Sequence, residues 1–556
     1  MSLFGGIYVG ASGLQTSQNA LNTTTHNLAN IETAGYSRQQ YLFGDKFYNT
    51  VGQAGVSKMQ VGLGVDYAKV RQVRDQFLDT SFRRESGRSA FYTACEETTS
   101  EMETLLGEFE GAAFEESLSD LWTSIEELNK DPSSAVTQGV FVSECNQFLE
   151  RAQAVYTGLC EYQDNLNSRI SDQVKRINEI AHQIHQLNVK IQHAESGVEE
   201  ANDLRDTRNY LLDELGSLVK IETNENAYGG TEIYVEDVPL LIGDYVNEMD
   251  LIRDESTGFY NVTWGKDFEN MAVFRYDLEI SSDMGTDVGQ LKSTILARGD
   301  HRANYTDMIN DAGELDAKKY NDSIFQKDKQ FLDMDGKIVG VDIYSVPISK
   351  SIVMNIESEL DRLVHSVVKS INNILTGGEV SKADSTGVEM FVRLGTERYD
   401  TSGDYVKDDD ISGSPVDISK LYCLNNLKIN PELLKQPTLN SFVLPDMSVD
   451  HAKAKALTDA FSGAKIELNP NTTTKLNFTD FYAGLCSQVA NSGSVYKSFV
   501  SAQEATVSQL ENARQEVVGV ASDEELQNMI KFQNAYNASS RYINVINDML
   551  ETIIQL

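Results

Sequence analysis

Proline is scarce in this chain of 556 residues. There are 8, Pro132 is the only one before position 239, and the rest lie between Pro239 and Pro470. Proline breaks helices and strand ladders, so the proline-poor parts, which include both ends, are free to form long helices. Basic residues are a minority too: 47 Lys and Arg stand against 84 Asp and Glu, a formal net charge of −37. Nucleic acid and anionic membrane surfaces both need a basic face, and this balance excludes them as partners. No apolar run approaches the ~18 residues that span a bilayer, so no membrane insertion is expected. The five cysteines (Cys95, Cys145, Cys160, Cys423, Cys486) are odd in number, form no CxxC pair and read as free thiols. Charge is missing altogether from residues 1–31, which hold no Asp, Glu, Lys or Arg. A start without basic residues, its apolar stretch broken by Gly and Ser, is not expected to be a cleaved secretory signal. In so acidic a chain, a charge-free segment is what burial against partners requires.

What is present is heptad periodicity at both ends. Ile7, Leu14, Leu21 and Leu28 recur every seven residues, with Phe4, Ala11, Gln18 and Thr25 between them. Two polar positions weaken that seam, and Gly5, Gly6, Gly10 and Gly13 each cost roughly 1 kcal/mol of helix propensity relative to Ala. Alone the segment is expected to be disordered, and helical only against a partner. At the other end, SDEE from Ser522 reads as a capping box, with Ser522 as N-cap and Glu525 three residues on. Met529, Tyr536, Ile543 and Leu550 then repeat every seven residues, alongside Phe532, Ser539, Ile546 and Ile553. The economical arrangement packs the two ends together, with one more apolar face left for neighbours.

Between them, residues of about 75–108, 114–130, 134–195, 199–219, 351–375 and 477–518 read as helices, with Asp131-Pro132 a break and Gly519 a stop. In the longest, Ile170, Ile177, Ile184 and Ile191 form one seam and Leu166, Gln173, Ile180 and Leu187 the other. Residues 221–350 alternate apolar and polar positions between Gly and Asp turns and read as β-rich. Residues 376–475 are rich in Gly, Asp and Pro and read as irregular or mixed. The expected fold class is mainly α with β-rich inserts: an elongated helical bundle or coiled coil formed by both chain ends, carrying one or two outer domains. Residues 1–40 with 520–556 form the terminal coiled-coil domain, disordered in the monomer. Residues 41–220 with 351–375 and 476–519 form the bundle, 221–350 a β-rich outer domain, and 376–475 a second outer insert.

Reactive constellations are weak. His182, His185 and His193 share a helix, but His182 and His185 fall outside its apolar seams, where a helix meets water. Asp333-Met-Asp335-Gly336 echoes a calcium loop, but Phe331 holds the first ligand position, and an Asp-Gly hairpin turn explains the run better. Gly62-Leu-Gly64 lacks the third glycine of a dinucleotide fingerprint and serves as a chain reversal. Asp408-Asp409-Asp410 reads as a solvated loop. There is no HExxH, GxSxG or P-loop pattern. No catalytic, cofactor-binding or metal site is expected, and the chain is read as a structural protein.

The stretch Leu14–Gln39 contains His26-Asn27-Leu28-Ala29-Asn30, then Thr33, Gly35 and Tyr36. It resembles the N-terminal signature of the axial proteins of the bacterial flagellum, a family of rod, hook and hook-associated proteins. Gly35-Tyr36-Ser37-Arg38 is similar to the hook-associated branch, where rod and hook proteins usually continue with Gly, Phe and Lys. Gly62–Val65, Arg71–Leu78, Asn202–Arg208 with Leu211–Leu215, and the run from Asp523 through Phe532, Tyr536 and Arg541 to Thr552 resemble the same family. The likeness covers both ends and the helical layer, roughly half the chain. It implies a structural protein made in the cytoplasm and exported, without a cleaved signal peptide, through the flagellar type III apparatus. Outside the cell, it implies a ring at the hook–filament junction. The implied partners are copies of itself, the hook protein, the second junction protein or filament proteins, and an export chaperone with the export apparatus. The implied assembly interface is Ile7, Leu14, Leu21, Leu28, Asn27, Asn30, Gly35 and Tyr36 at one end, and Met529, Phe532, Tyr536, Ile543, Ile546, Leu550 and Ile553 at the other. The alternatives are another axial protein, of hook or distal rod, and a flagellar scaffold that displays an enzymatic or adhesive insert.

Overall fold

The computed structural model describes residues 3–55, 57–107, 114–197, 199–265, 271–407, 417–440, 442–444 and 446–555, so the Asp408–Asp410 run lies outside the described residues. The chain opens with α1 (Leu3–Ala29), continues through β1 (Gln39–Asp45), β2 (Tyr48–Ala54), β3 (Ser57–Gly62) and β4 (Val65–Gln72), and runs into α2 (Gln76–Gly107), α3 (Phe114–Lys130), α4 (Ala135–Ala194) and α5 (Asn202–Leu218). Strands β5 (Ile221–Glu225), β6 (Thr231–Val235), β7 (Val238–Ile242), β8 (Tyr245–Val246), β9 (Met249–Arg253) and β10 (Tyr260–Trp264) follow. Next come α6 (Gln290–Arg298), α7 (Ala317–Asn321), β11 (Phe325–Leu332), β12 (Ile338–Tyr344) and α8 (Ile352–Thr376). Short elements fill the next stretch: β13 (Phe391–Arg393), β14 (Leu427–Ile429), α9 (Pro431–Lys435), α10 (His451–Ser462), β15 (Ile466–Glu467) and β16 (Lys475–Leu476). The chain closes with α11 (Phe478–Val518) and α12 (Ser522–Ile554).

The fold is therefore mainly α with β-rich inserts, and the helices expected from periodicity are present with ends displaced by three residues at most. Two local expectations fail. Periodicity assigns no element to residues 41–74, yet β1 pairs with β4 and β2 with β3, both antiparallel. These strands are short, polar and interrupted by Gly44 and Gly52, so they lack the clean alternation that marks a half-buried strand. The capping box also fails: Ala521 holds the N-cap of α12 without a side-chain bond, and Ser522 is already inside the helix. Glu525 is then free of the helix end and is buried elsewhere, as described below.

The chain divides into two compact units. The first comprises Met1–Ser89, Arg176–Glu248 and Gln503–Leu556, the second Ala90–Lys175 and Met249–Ala502. The first unit contains the antiparallel sheet β5-β6-β7-β8. The second contains the antiparallel sheet β10-β9-β11-β12 and a large apolar core. Phe114, Leu118 and Leu121 of α3, Phe141 and Phe148 of α4, Leu360, Leu363, Val367 and Ile371 of α8, and Phe481 and Leu485 of α11 are all within that core.

Helix α8 is the axis of that core, and it carries three buried acids, Glu357, Glu359 and Asp361. Their role is to fasten loops. Glu357 accepts from the Ala303 amide at 2.9 Å, and Asp361 accepts from the amides of Tyr305 at 3.0 Å and Leu424 at 2.7 Å. Glu359 accepts from Asn469 at 2.8 Å and Gln488 at 3.1 Å. Burial pushes these carboxyls up, Glu357 to about 8 and Glu359 and Asp361 to about 7, because a low-dielectric site disfavours the charged form. Beside them His301 lies 2.6 Å from Asp300 and 3.3 Å from Asp307, and these two carboxylates hold it protonated well above its ordinary range despite burial.

Loops of both units reuse one turn. Asn226, Asn310, Asp333 and Asp400 each accept, through Oδ1, the amides two and four residues on. In each the third residue on is a glycine with φ between +77° and +86°, a conformation that other residues adopt at a cost. The Asp333 carboxylate is thereby committed to its own backbone, as the hairpin reading of that run expects.

Candidate assembly site

In the first unit α1 and α12 pack antiparallel. Gly6 lies against Ile546, Gly10 against Ile543 and Tyr542, and Gly13 against Ser539. A Cβ on Gly10 would sit 2.6 Å from Ile543 Cγ1, so the helices touch where there is no side chain to hold them apart. The seam continues through Ser17, Ala20, Thr24 and Asn27, all buried. These positions recur at alternating intervals of four and three, a heptad of small residues one position ahead of the leucines. Ile7, Leu14, Leu21 and Leu28 flank this seam and are half-buried. The glycines that weaken α1 as an isolated helix are its contact surface. Thr16 and Thr24 satisfy their hydroxyls on the helix's own carbonyls, from Ser12 at 2.8 Å and Ala20 at 3.0 Å, which lets polar residues line the seam.

On α12, Met529, Phe532, Tyr536, Ile543 and Leu550 are half-buried, Ile546 is buried, and Ile553 is exposed. A second heptad row, Tyr542, Val545 and Met549, is 40–51% exposed. Apolar side chains of α12 thus stay open to solvent beside its contact with α1.

Where α1 ends, the signature residues tie a knot. The Asn27 side chain is buried and pairs with both backbone groups of Gln39, Oδ1 accepting from its amide at 3.0 Å and Nδ2 donating to its carbonyl at 2.9 Å. It acts as a substitute strand for β1. Tyr36 donates its hydroxyl to the same Oδ1 at 2.8 Å and meets His26 edge-on at 5.6 Å. Burial, with the nearby charges of Asp203 and Asp206, raises the Tyr36 phenol. Gly35 holds φ +76° with its α-carbon side against Tyr210, where a Cβ would come within 3.2 Å. Asn30 reaches back to the His26 carbonyl at 3.0 Å. Ser37 donates amide and hydroxyl to Asp206 at 3.0 and 2.5 Å, and the Arg38 amide donates to Val518, the last residue of α11, at 2.8 Å. Arg38 pairs with Glu524 at 2.8 Å. Burial raises the Glu525 carboxyl, while Asn27 and Arg38 counter that.

Helix α5 supplies the other side of the knot. Asn202 bonds Val70, Asp203 Oδ1 accepts from Gln39 at 2.7 Å and faces His26 at 3.3 Å, and Asp206 meets Arg74 at 3.3 Å. Arg205 clamps Glu195 at 2.6 and 2.8 Å, and buried Arg208 donates to Asn188 and to the Gly229 carbonyl. Asn202, Asp203, Arg205, Asp206 and Arg208 thus each reach beyond α5, while Leu211, Leu212 and Leu215 are buried on the apolar face. Arg74–Asp79 at 2.6 Å, Arg83–Asp213 at 2.8 Å and Arg514–Asp213 at 2.7 Å extend the charge network. Ser37, Arg74, Asp206 and Glu525 were not expected at the site. The available signal was an arginine-rich, polar helix start in a chain short of cations.

Elsewhere, exposed His182 pairs with Glu248 at 2.6 Å, and His185 is half-buried, which departs from its expected solvent-facing position. Among the described residues no helix is long and apolar enough to cross a membrane.

Residues 99–391 match the family model for the helical domain of flagellar hook-associated protein FlgK. Residues 7–36 match that of the flagella basal body rod protein, and 512–556 the C-terminal model of the flagellar basal body rod FlgEFG protein. Flagellar hook-associated protein 1 of Bacillus subtilis is 25% identical over 100% of this chain and 98% of its own length. The proteins of that name from Escherichia coli and Salmonella typhimurium are 22% and 24% identical, each over 98% of both chains. The structure of the flagellar hook junction protein FlgK from Burkholderia pseudomallei aligns with a TM-score of 0.52 at 12% identity, over 79% of this chain and 100% of that one. At that identity the likeness speaks for the fold.

Proposed function

We propose, from the premise that this chain belongs to the flagellar hook-associated protein FlgK family, that it is the structural subunit joining the flagellar hook to the filament. Membership makes it a structural component of the flagellum that assembles with itself and with other axial proteins. The observation that carries the junction reading is the end-to-end likeness to proteins named flagellar hook-associated protein 1.

Within this proposal the terminal helices are the assembly interface. The residues that form it are Ile7, Leu14, Leu21, Leu28, Asn27, Asn30, Gly35 and Tyr36 of α1 and its turn, with Met529, Phe532, Tyr536, Ile543, Ile546, Leu550 and Ile553 of α12. Half-covered leucines beside a small-residue seam, and an exposed heptad row on α12, support it. Heterologous contacts of this kind close into a ring or continue along an axis. In the isolated monomer residues 1–40 and 520–556 open readily, which suits export through a narrow channel with a chaperone covering the C-terminal helix. The hook protein on one side and filament-side proteins on the other are the proposed neighbours, outside the cell, and the role is non-enzymatic. The proposed domains are 1–40 with 520–556, 41–220 with 351–375 and 476–519, 221–350, and 376–475.

Deleting the gene tests the junction role. Cells with hooks but no filaments, and with filament subunits shed into the medium, are expected. Cells without hooks would move the chain to the rod or hook, and normal filaments would overturn both.

A further inference from the structure

We infer that the knot between α1 and α5 is a socket for a cationic side chain, and that its occupant is Arg541 of a second copy of this chain. The inference rests on the self-assembly reading above and adds to it the residues of one contact. A cavity of about 300 Å³ opens at the knot, with Tyr36 and Tyr210 as aromatic walls, Asp203 and Asp206 as carboxylates, and His26 and Asn30 on the rim. Aromatic faces and carboxylates together are what a guanidinium recognises, by its charge and by its flat stacking surface.

The open negative charge of the socket is that of Asp203. Asp206 is raised to about 6, chiefly by burial, with the neighbouring Asp203 adding to the rise. Asp206 is buried, accepts from Ser37 and Gln72 and meets Arg74 at 3.3 Å, so Asp203 is the carboxylate left open. Asp203 pairs with no lysine or arginine among the described residues; it meets only His26 and Gln39. Its side chain is 66% exposed, so it is open to a partner.

Helix α12 has two basic residues, Lys531 and Arg541. Lys531 lies over the Phe532 ring at 5.9 Å. Arg541 is exposed and makes no ion pair among the described residues, and it adjoins the exposed row Tyr542 and Val545. It cannot fill its own socket. Gly13 lies against Ser539 and Gly10 against Ile543, so Arg541 is level with residues 10–13 of α1. That is roughly 20 Å along the helix from His26 at 1.5 Å per residue. A neighbour displaced along the axis can bring the two together, and a plug and a socket at different levels make a heterologous contact.

Charge reversal tests the pairing in cells carrying the full chain. Asp203→Lys and Arg541→Glu alone are each expected to reduce filaments per cell by about tenfold. The double reversal is expected to restore them to within about twofold, because the pair is re-formed with opposite sign. Asp203→Cys with Arg541→Cys should give ladders of cross-linked chains in isolated flagella treated with a bis-maleimide, whose span replaces the arginine side chain that a direct disulfide could not bridge, and neither single cysteine should. Single reversals that assemble as wild type, a double variant no better than the singles, or absent ladders would overturn the socket. If deletion of the gene leaves filaments normal, the flagellar reading itself fails, a separate outcome.

Discussion

Helices α8 and α12 both carry apolar residues at helical spacing and have opposite fates. Sixteen of the 25 residues of α8 are buried, against two of the 33 of α12. Helix α8 completes its contacts within its own unit, where three carboxyls also anchor loops to it. Helix α12 meets glycines, serines and threonines of α1, a surface that permits close approach but removes little apolar area from water. Burial separates a helix that stabilises its own chain from one that offers surface to others.

The largest test of that contrast is in α8. Leu363→Ala is expected to cost about 2–5 kcal/mol, the usual range for truncating a fully buried leucine. Both tryptophans, Trp122 and Trp264, lie in the second unit, so the urea midpoint by fluorescence reads this unit alone. An effect below about 1 kcal/mol would break the comparison. Next is the knot: Arg74→Met, which leaves Asp79 and Asp206 without their shared cation, should destabilise the first unit by about 3 kcal/mol. Circular dichroism should record that loss while the tryptophan transition stays in place.

The third test is pH. Glu357, Glu359 and Asp361 have folded values above those of the unfolded chain, so the folded state retains protons that the unfolded chain releases. Their contribution is fully present below about pH 4.5 and is lost as pH rises through 7 to 8. His301, also raised, loses its contribution in the same direction, whereas lowered Asp300 and Asp307 lose theirs only in acid. The tryptophan-monitored stability should therefore fall between pH 6 and pH 9, by up to ~1.4 kcal/mol per pH unit for each titrating group. Glu357→Gln should flatten the slope. A stability that rises over this range would contradict the account of α8. The smallest effect is expected at α12. Ile543→Ala, at a half-buried site, should change monomer stability by about 1 kcal/mol or less, while impairing assembly.

The sequence showed much of this fold through period alone. The seams Ile170–Ile191 and Leu166–Leu187 of α4 hold buried side chains, save for Gln173, which is half-buried. Strands β1–β4 were illegible because their polar, glycine-broken segments pair only with each other. At the terminal helix the leucines drew attention because large side chains dominate any hydrophobic pattern. Contact falls instead on Gly6, Gly10 and Gly13, whose value is the absence of a side chain, something no hydrophobicity pattern registers. The signature His26–Tyr36 was recognisable as a block. Its physical meaning, Asn27 standing in for a strand 12 residues on and Asp206 receiving Ser37 across 169 residues, depends on contacts that local pattern cannot express.

The most direct test of the central claim is residue-resolved hydrogen exchange on the dilute monomer. Amides of α1 and α12 are expected to exchange near the unprotected limit, while those of α8 exchange only with unfolding of their unit. Protection of α1 and α12 equal to that of α8 would contradict the claim that the terminal pair is left incomplete for assembly.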